Sequence, residues 1–176
     1  MNSLKNKLIN FIQKWEGGFS NHPDDLGGST MKGITFNTFK QYYADTRRGV
    51  PTIEQLKNIT QQEWINIFDR YYWNAVKADN ITHELNACIL VSWAWGSGVS
   101  GGVKLFQKNH GLSVDGVVGN STINAINQAD PYELCNIREN YFRAIVANNP
   151  SQQVFLNGWL NRLNDFRLTF DIKKKV

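Results

Sequence analysis

The chain has 176 residues, 41% hydrophobic and 12% aromatic, enough to bury a core and to exclude disorder. Nineteen basic against fifteen acidic residues leave +4, which favours approach to a polyanion (cell wall, membrane surface or nucleic acid), although Lys173, Lys174 and Lys175 alone supply three charges. Two cysteines, Cys88 and Cys135, make no disulfide framework, and both fall in apolar helical patterns that suit buried free thiols.

In chain order, Leu4, Leu8, Phe11, Ile12 and Trp15 recur at three- and four-residue spacing, predicting an amphipathic helix that ends at Glu16. Gly17 and Gly18 are expected to close it in left-handed geometry. Lys5, Lys7 and Lys14 interrupt this stretch, so it reads as neither signal peptide nor transmembrane span. Synthesis in the cytoplasm, with action on the wall only after release or export, is the corresponding expectation. Phe36, Phe39 and Tyr43 mark a second helix, and Thr52 caps a brief one to Asn58. Thr60-Gln61-Gln62-Glu63 is a capping box opening a helix with Trp64, Ile67, Phe68 and Tyr71 on one face. From His83 to Trp95 the chain is apolar nearly all round, as a central helix would be.

Gly96-Ser97-Gly98 and Gly101-Gly102 read as a boundary, dividing the chain into residues 1–97 and 98–176. Beyond it come a helix from Val103 to Asn109, a glycine-bearing loop to Gly119, and a helix capped by Asn120 or Ser121. Asp130-Pro131 opens a longer helix bearing Leu134, Ile137, Tyr141 and Ile145. Phe155, Trp159, Leu163, Phe166 and Phe170 stripe the last. No segment alternates with period two, so the class is all-α, with at most a short hairpin near the acidic loop.

Glu16 is the first chemical candidate. The negative end of a helix dipole and partial burial beside Trp15 both favour the protonated form that a general acid needs. An ordinary helix-end carboxylate is the plain alternative. Asp25 follows nine positions later in a segment whose glycines let the backbone fold back, and Thr30 is placed to orient a water or a sugar hydroxyl. Two carboxylates across a cleft are the minimum for cleaving a glycosidic bond.

The run Glu16-Gly17-Gly18-Phe19, Asn21-His22-Pro23, Asp25-x-Gly27-Gly28-x-Thr30 and Gly33-Ile34-Thr35 resembles the N-terminal signature of glycoside hydrolase family 108. These are lysozyme-like N-acetylmuramidases, some described as secretion activator proteins. Tyr71-Tyr72-Trp73 resembles that family's tyrosine–tryptophan motif. From about Gly98, with Phe106-Gln107, Leu112, Asp115-Gly116-x-x-Gly119 and Thr122, the chain resembles a small three-helix peptidoglycan-binding domain. The resemblance implies a lysozyme-like helical domain followed by that smaller one, with peptidoglycan as substrate. It implies Glu16 as catalytic acid with Asp25 and Thr30 as helpers, the role of Asp25 against Asp24 staying open.

Tyr72 and Trp73 are candidates for stacking on sugar, with packing as the alternative, and His22 lies near the site by sequence. Trp93 and Trp95 read as core. Three positions depart from the family's pattern: Ser92 replaces an aspartate, Gly96 an asparagine and Asn120 a proline. The first two motivate a competing reading, a peptidoglycan-binding or secretion-accessory protein that keeps the fold without the chemistry. His83-Glu84 begins like a zinc-protease motif, but Ala87 stands where the second histidine belongs, so neither metal nor cofactor is expected. No basic stripe marks a nucleic-acid partner.

Overall fold

In a computed structural model, residues 3–20 and 29–174 are described. They form helices α1 (Ser3–Trp15), α2 (Phe36–Asp45), α3 (Ile53–Lys57), α4 (Gln61–Phe68), α5 (Glu84–Ser97), α6 (Val99–Asn109), α7 (Asn120–Gln128), α8 (Pro131–Asn148) and α9 (Gln153–Thr169). The strands among them are β1 (Thr30–Met31) and β2 (Ile34–Thr35), an antiparallel pair. The class is therefore all-α with one short hairpin. The chain divides into two compact units: a smaller one, Ile9–Tyr71, and a larger one, Met1–Leu8 with Tyr72–Val176.

In the smaller unit the helices begin where their capping residues stand. Thr52 accepts from the Gln55 amide and Thr60 from the Glu63 amide, each side chain of the pair answering back in a capping box. Neither α3, of 5 residues, nor α4, of 8, is long enough to persist alone, so burial of Leu56, Trp64, Ile67 and Phe68 holds them. Strands β1 and β2 are joined by Lys32 and Gly33, with φ of 49° and 78°. Two positive φ values in succession are the mark of a type I′ turn, whose twist matches that of paired strands. The indole N–H of Trp64 donates to the Lys32 carbonyl at 2.9 Å and ties this turn to α4.

In the larger unit α5 is the central element. Asn86, Ala87, Cys88, Ile89, Leu90, Val91, Trp93 and Ala94 are all buried, because neighbours cover the helix on several sides. The Asn86 amide donates to the carbonyls of Ile126 and Ala129 at 2.7 and 2.8 Å, satisfying the end of α7.

Of the glycines read as a boundary, Gly96 lies inside α5 and Gly101 and Gly102 inside α6. Only Gly98, at φ 74°, breaks the helix, and α6 begins at Val99, four residues before the expected Val103. Gly102 lies inside α6, where a Cβ would stand 2.7 Å from the Ala94 nitrogen and 2.8 Å from the Trp93 carbonyl carbon. Its glycine serves close approach of two backbones, which spacing alone does not disclose. Two further expectations change. The N-cap of α7 is Gly119, with no side-chain cap, because Asn120 is already helical. On α9 Phe155 is 52% exposed and Leu156 takes the buried place.

Both cysteines are buried free thiols. Burial pushes Cys88 up to about 12 and Cys135 up to about 11. Their ordinary value is 9.0, so below that pH they add no pH dependence. As pH rises above it, the unfolded chain loses protons that the fold retains, and stability falls. At pH 10 each thiol should account for a loss of about 1.4 kcal/mol. Urea midpoints taken between pH 8 and 10.5 test this: the decline should be shallower in the Cys88→Ala, Cys135→Ala double variant.

Candidate active site

Glu16 follows the last residue of α1, and its amide still donates to the Ile12 carbonyl at 3.0 Å. Leu8, Phe11 and Ile12 are buried beneath it, and the Trp15 ring lies 6.5 Å from that of Phe11. The carboxylate is thus carried by a helix whose inner face is anchored, while Glu16 itself is half-buried. Gly17 and Gly18 are exposed but neither has a positive φ, so they do not close the helix in left-handed geometry. A Cβ on either would meet no other described atom within 4 Å.

Thr30 opens β1 and exchanges two backbone hydrogen bonds with Ser20, at 2.8 and 2.9 Å. Ser20 is four residues on from Glu16, a chain reach of at most roughly 14 Å. The pairing therefore brings the strand of Thr30 back beside the end of α1. His22, Asp24 and Asp25, between Ser20 and Thr30 in sequence, lie outside the described residues. Behind Thr30, Ser29 is buried and its carbonyl accepts from Phe36 at 2.8 Å. Thr35, paired across from Thr30, caps α2 through the Thr38 amide. The hairpin is thus fixed at both ends.

Farther along the same unit, Asp45 accepts from the Tyr71 hydroxyl at 2.7 Å, from Gln41 at 2.7 Å and from Arg70 at 3.1 Å. These bonds, that of Tyr71 foremost, hold the carboxyl below its ordinary range. Burial, reinforced by this acceptor, pushes Tyr71 up to about 12.

In the larger unit the two stacking candidates part company. Trp73 is 3% exposed, its indole N–H donates to Asp79 at 2.7 Å, and the Lys5 ammonium lies 4.7 Å from its ring. An indole so enclosed packs and offers no face to a sugar. Tyr72 is half-exposed, with its ring 4.5 Å from that of Trp95. Trp95 is half-exposed as well, so of the two tryptophans read as core only Trp93 is buried.

The Asp115-Gly116 turn is held from within. Gln107, 2% exposed, donates to Asp115 at 2.8 Å, to the Val117 carbonyl at 3.0 Å and to Thr122 at 3.3 Å, and accepts from the Gly116 amide at 2.9 Å. Asp115 also accepts from the Val117 amide at 2.8 Å, and this bond first, then that of Gln107, lowers its pKa. These motif residues are accounted for by backbone geometry without a ligand. Gln107→Leu removes four hydrogen-bond contacts at once and should lower stability by about 2 kcal/mol, read as a shift of the denaturation midpoint. Among the described residues no group of three or more His, Cys, Asp or Glu is placed to hold a metal ion. No helix among them is long and apolar enough to cross a membrane.

Comparison with known proteins bears on this arrangement. The family model described as Glycosyl hydrolase 108 matches residues 9–98, and that described as Predicted Peptidoglycan domain matches residues 101–164. No curated protein matches the chain. Among solved structures it is similar to Brucella abortus SagA, at 26% identity over 97% of this chain and 95% of that one, with a TM-score of 0.74. The first match spans half of the chain and contains Glu16, Thr30 and the hairpin; the chain belongs to the glycosyl hydrolase 108 family and is a peptidoglycan-related glycoside hydrolase.

Proposed function

We propose that the protein is an N-acetylmuramidase, hydrolysing the β-1,4 bond between N-acetylmuramic acid and N-acetylglucosamine at the cell wall. The observation that carries this reading is the Ser20–Thr30 pairing, which returns the strand of Thr30 to the helix end bearing Glu16. Glu16 protonates the leaving glycosidic oxygen. Asp25 supports the oxocarbenium-like state, directly or through a water, and Thr30 orients that water or a sugar hydroxyl. Residues 1–97 carry this chemistry and residues 98–176 engage the wall.

Purified peptidoglycan digested with the protein, reduced with borohydride and analysed by mass spectrometry tests the bond assignment. New muramitol ends are expected. New glucosaminitol ends would make the enzyme a glucosaminidase. Sedimentation with the wall without release of any reducing end would make it an accessory protein.

A further inference from the structure

Along α8, Leu134, Arg138 and Tyr141 follow at spacings of four and three, so an arginine stands on the apolar face of the helix. Arg138 is 6% exposed. Its guanidinium lies 4.7 Å from the Phe142 ring, 5.1 Å from Tyr141 and 5.9 Å from Trp93. Nη1 is buried with no hydrogen-bond partner among the described residues. Burial first, and the neighbouring charge of Arg162 as well, bring Arg138 down to about 10, which still leaves it charged at neutral pH. Packing alone is a poor reason for such a residue. Methionine would fill the same space without desolvating a charge, and three rings offset that penalty only in part.

The guanidinium reaches the surface of α5 at Gly96. Its Nη2 lies 3.1 Å from where a Cβ on Gly96 would stand, and Gly96 is exposed. On α5, Ser92, Trp95 and Gly96 fall at i, i+3 and i+4, one face of the helix. A hydroxyl, the Trp95–Tyr72 ring pair and the edge of a cation therefore lie along one face of α5. A buried arginine fork with no acid beside it among the described residues suits a planar, singly charged oxygen pair.

We propose that Arg138 binds a carboxylate of the peptidoglycan peptide stem, admitted at Gly96. The proposal rests on peptidoglycan being the substrate, whose acetylated sugars are neutral and whose stem carries free carboxylates.

The full-length protein is titrated with N-acetylmuramoyl-L-alanyl-D-isoglutamine, which has one free carboxylate, and with its neutral amide, following tryptophan fluorescence at low salt. The wild type should bind the acid at least tenfold more tightly than the amide. Arg138→Met should erase that preference while melting at or above the wild-type temperature. Arg138→Lys, which keeps the charge but loses the fork, should lower the preference severalfold and serves alone if the methionine variant does not fold. Equal affinity of the wild type for acid and amide, no binding of either, or an undiminished preference in the variants overturns the proposal. Release of reducing ends by the wild type is scored separately. Hydrolysis without acid preference removes this subsite alone, whereas no hydrolysis removes the muramidase reading whatever the titration shows.

Discussion

Glu16→Gln should abolish release of reducing ends from peptidoglycan, by at least about a thousandfold, without unfolding the protein. The amide has the size of the carboxylic acid but no proton to give to the departing sugar oxygen. That loss corresponds to a barrier raised by about 4 kcal/mol. The fold should be indifferent, because what anchors this end of α1 is Leu8, Phe11 and Ile12 beneath it and the amide of residue 16 on the Ile12 carbonyl, all of which survive. The melting temperature should therefore stay within about 3 °C of the wild type. Glu16→Asp keeps an acid but withdraws it by one methylene, and should fall between the two. Wild-type rates in the glutamine variant would take Glu16 out of the chemistry altogether.

The largest effect on stability is expected at Gly102. Alanine is the better helix former by about 1 kcal/mol, so propensity alone argues for a gain. Sterics reverse the sign. The added methyl would lie 2.7 Å from the Ala94 nitrogen and 3.0 Å from its Cα, which are backbone atoms of α5 and cannot swing aside. Relief requires α5 and α6 to separate, opening contacts around buried Val103, Phe106, Trp93 and Ala94. Gly102→Ala should cost about 3 kcal/mol, and Gly102→Val should fail to fold. Chemical denaturation of the alanine variant decides it, and a midpoint at or above that of the wild type would show that the helices part without penalty.

These two positions also show what sequence discloses. The end of α1 just before Glu16 was legible because a periodic apolar stripe marks the helix. The capping boxes at Thr52 and Thr60, and the Asp130 cap of α8, are local chemistry and were equally legible. Gly102 was read as part of a boundary ahead of a helix because one glycine looks the same whether it breaks a helix or lets two helices touch. Gly17 and Gly18 were misread for the related reason that composition does not report φ. Trp73 is buried and Trp95 half-exposed, the reverse of the burial expected, since burial depends on neighbours distant in sequence. Arg138 left a trace, a lone charge at an apolar spacing, but the rings around it come partly from α5, 45 residues earlier at Trp93.

The Gln107 hub has a consequence for hydrogen exchange. Gly116 and Val117 belong to a surface turn, where amides ordinarily exchange fast, yet their N–H groups are bound to a buried side chain and to a carboxylate held by it. Their protection should follow the opening of α6 rather than the mobility of a loop. A partner meeting this turn would find it already ordered, and the entropy of fixing it would have been spent during folding.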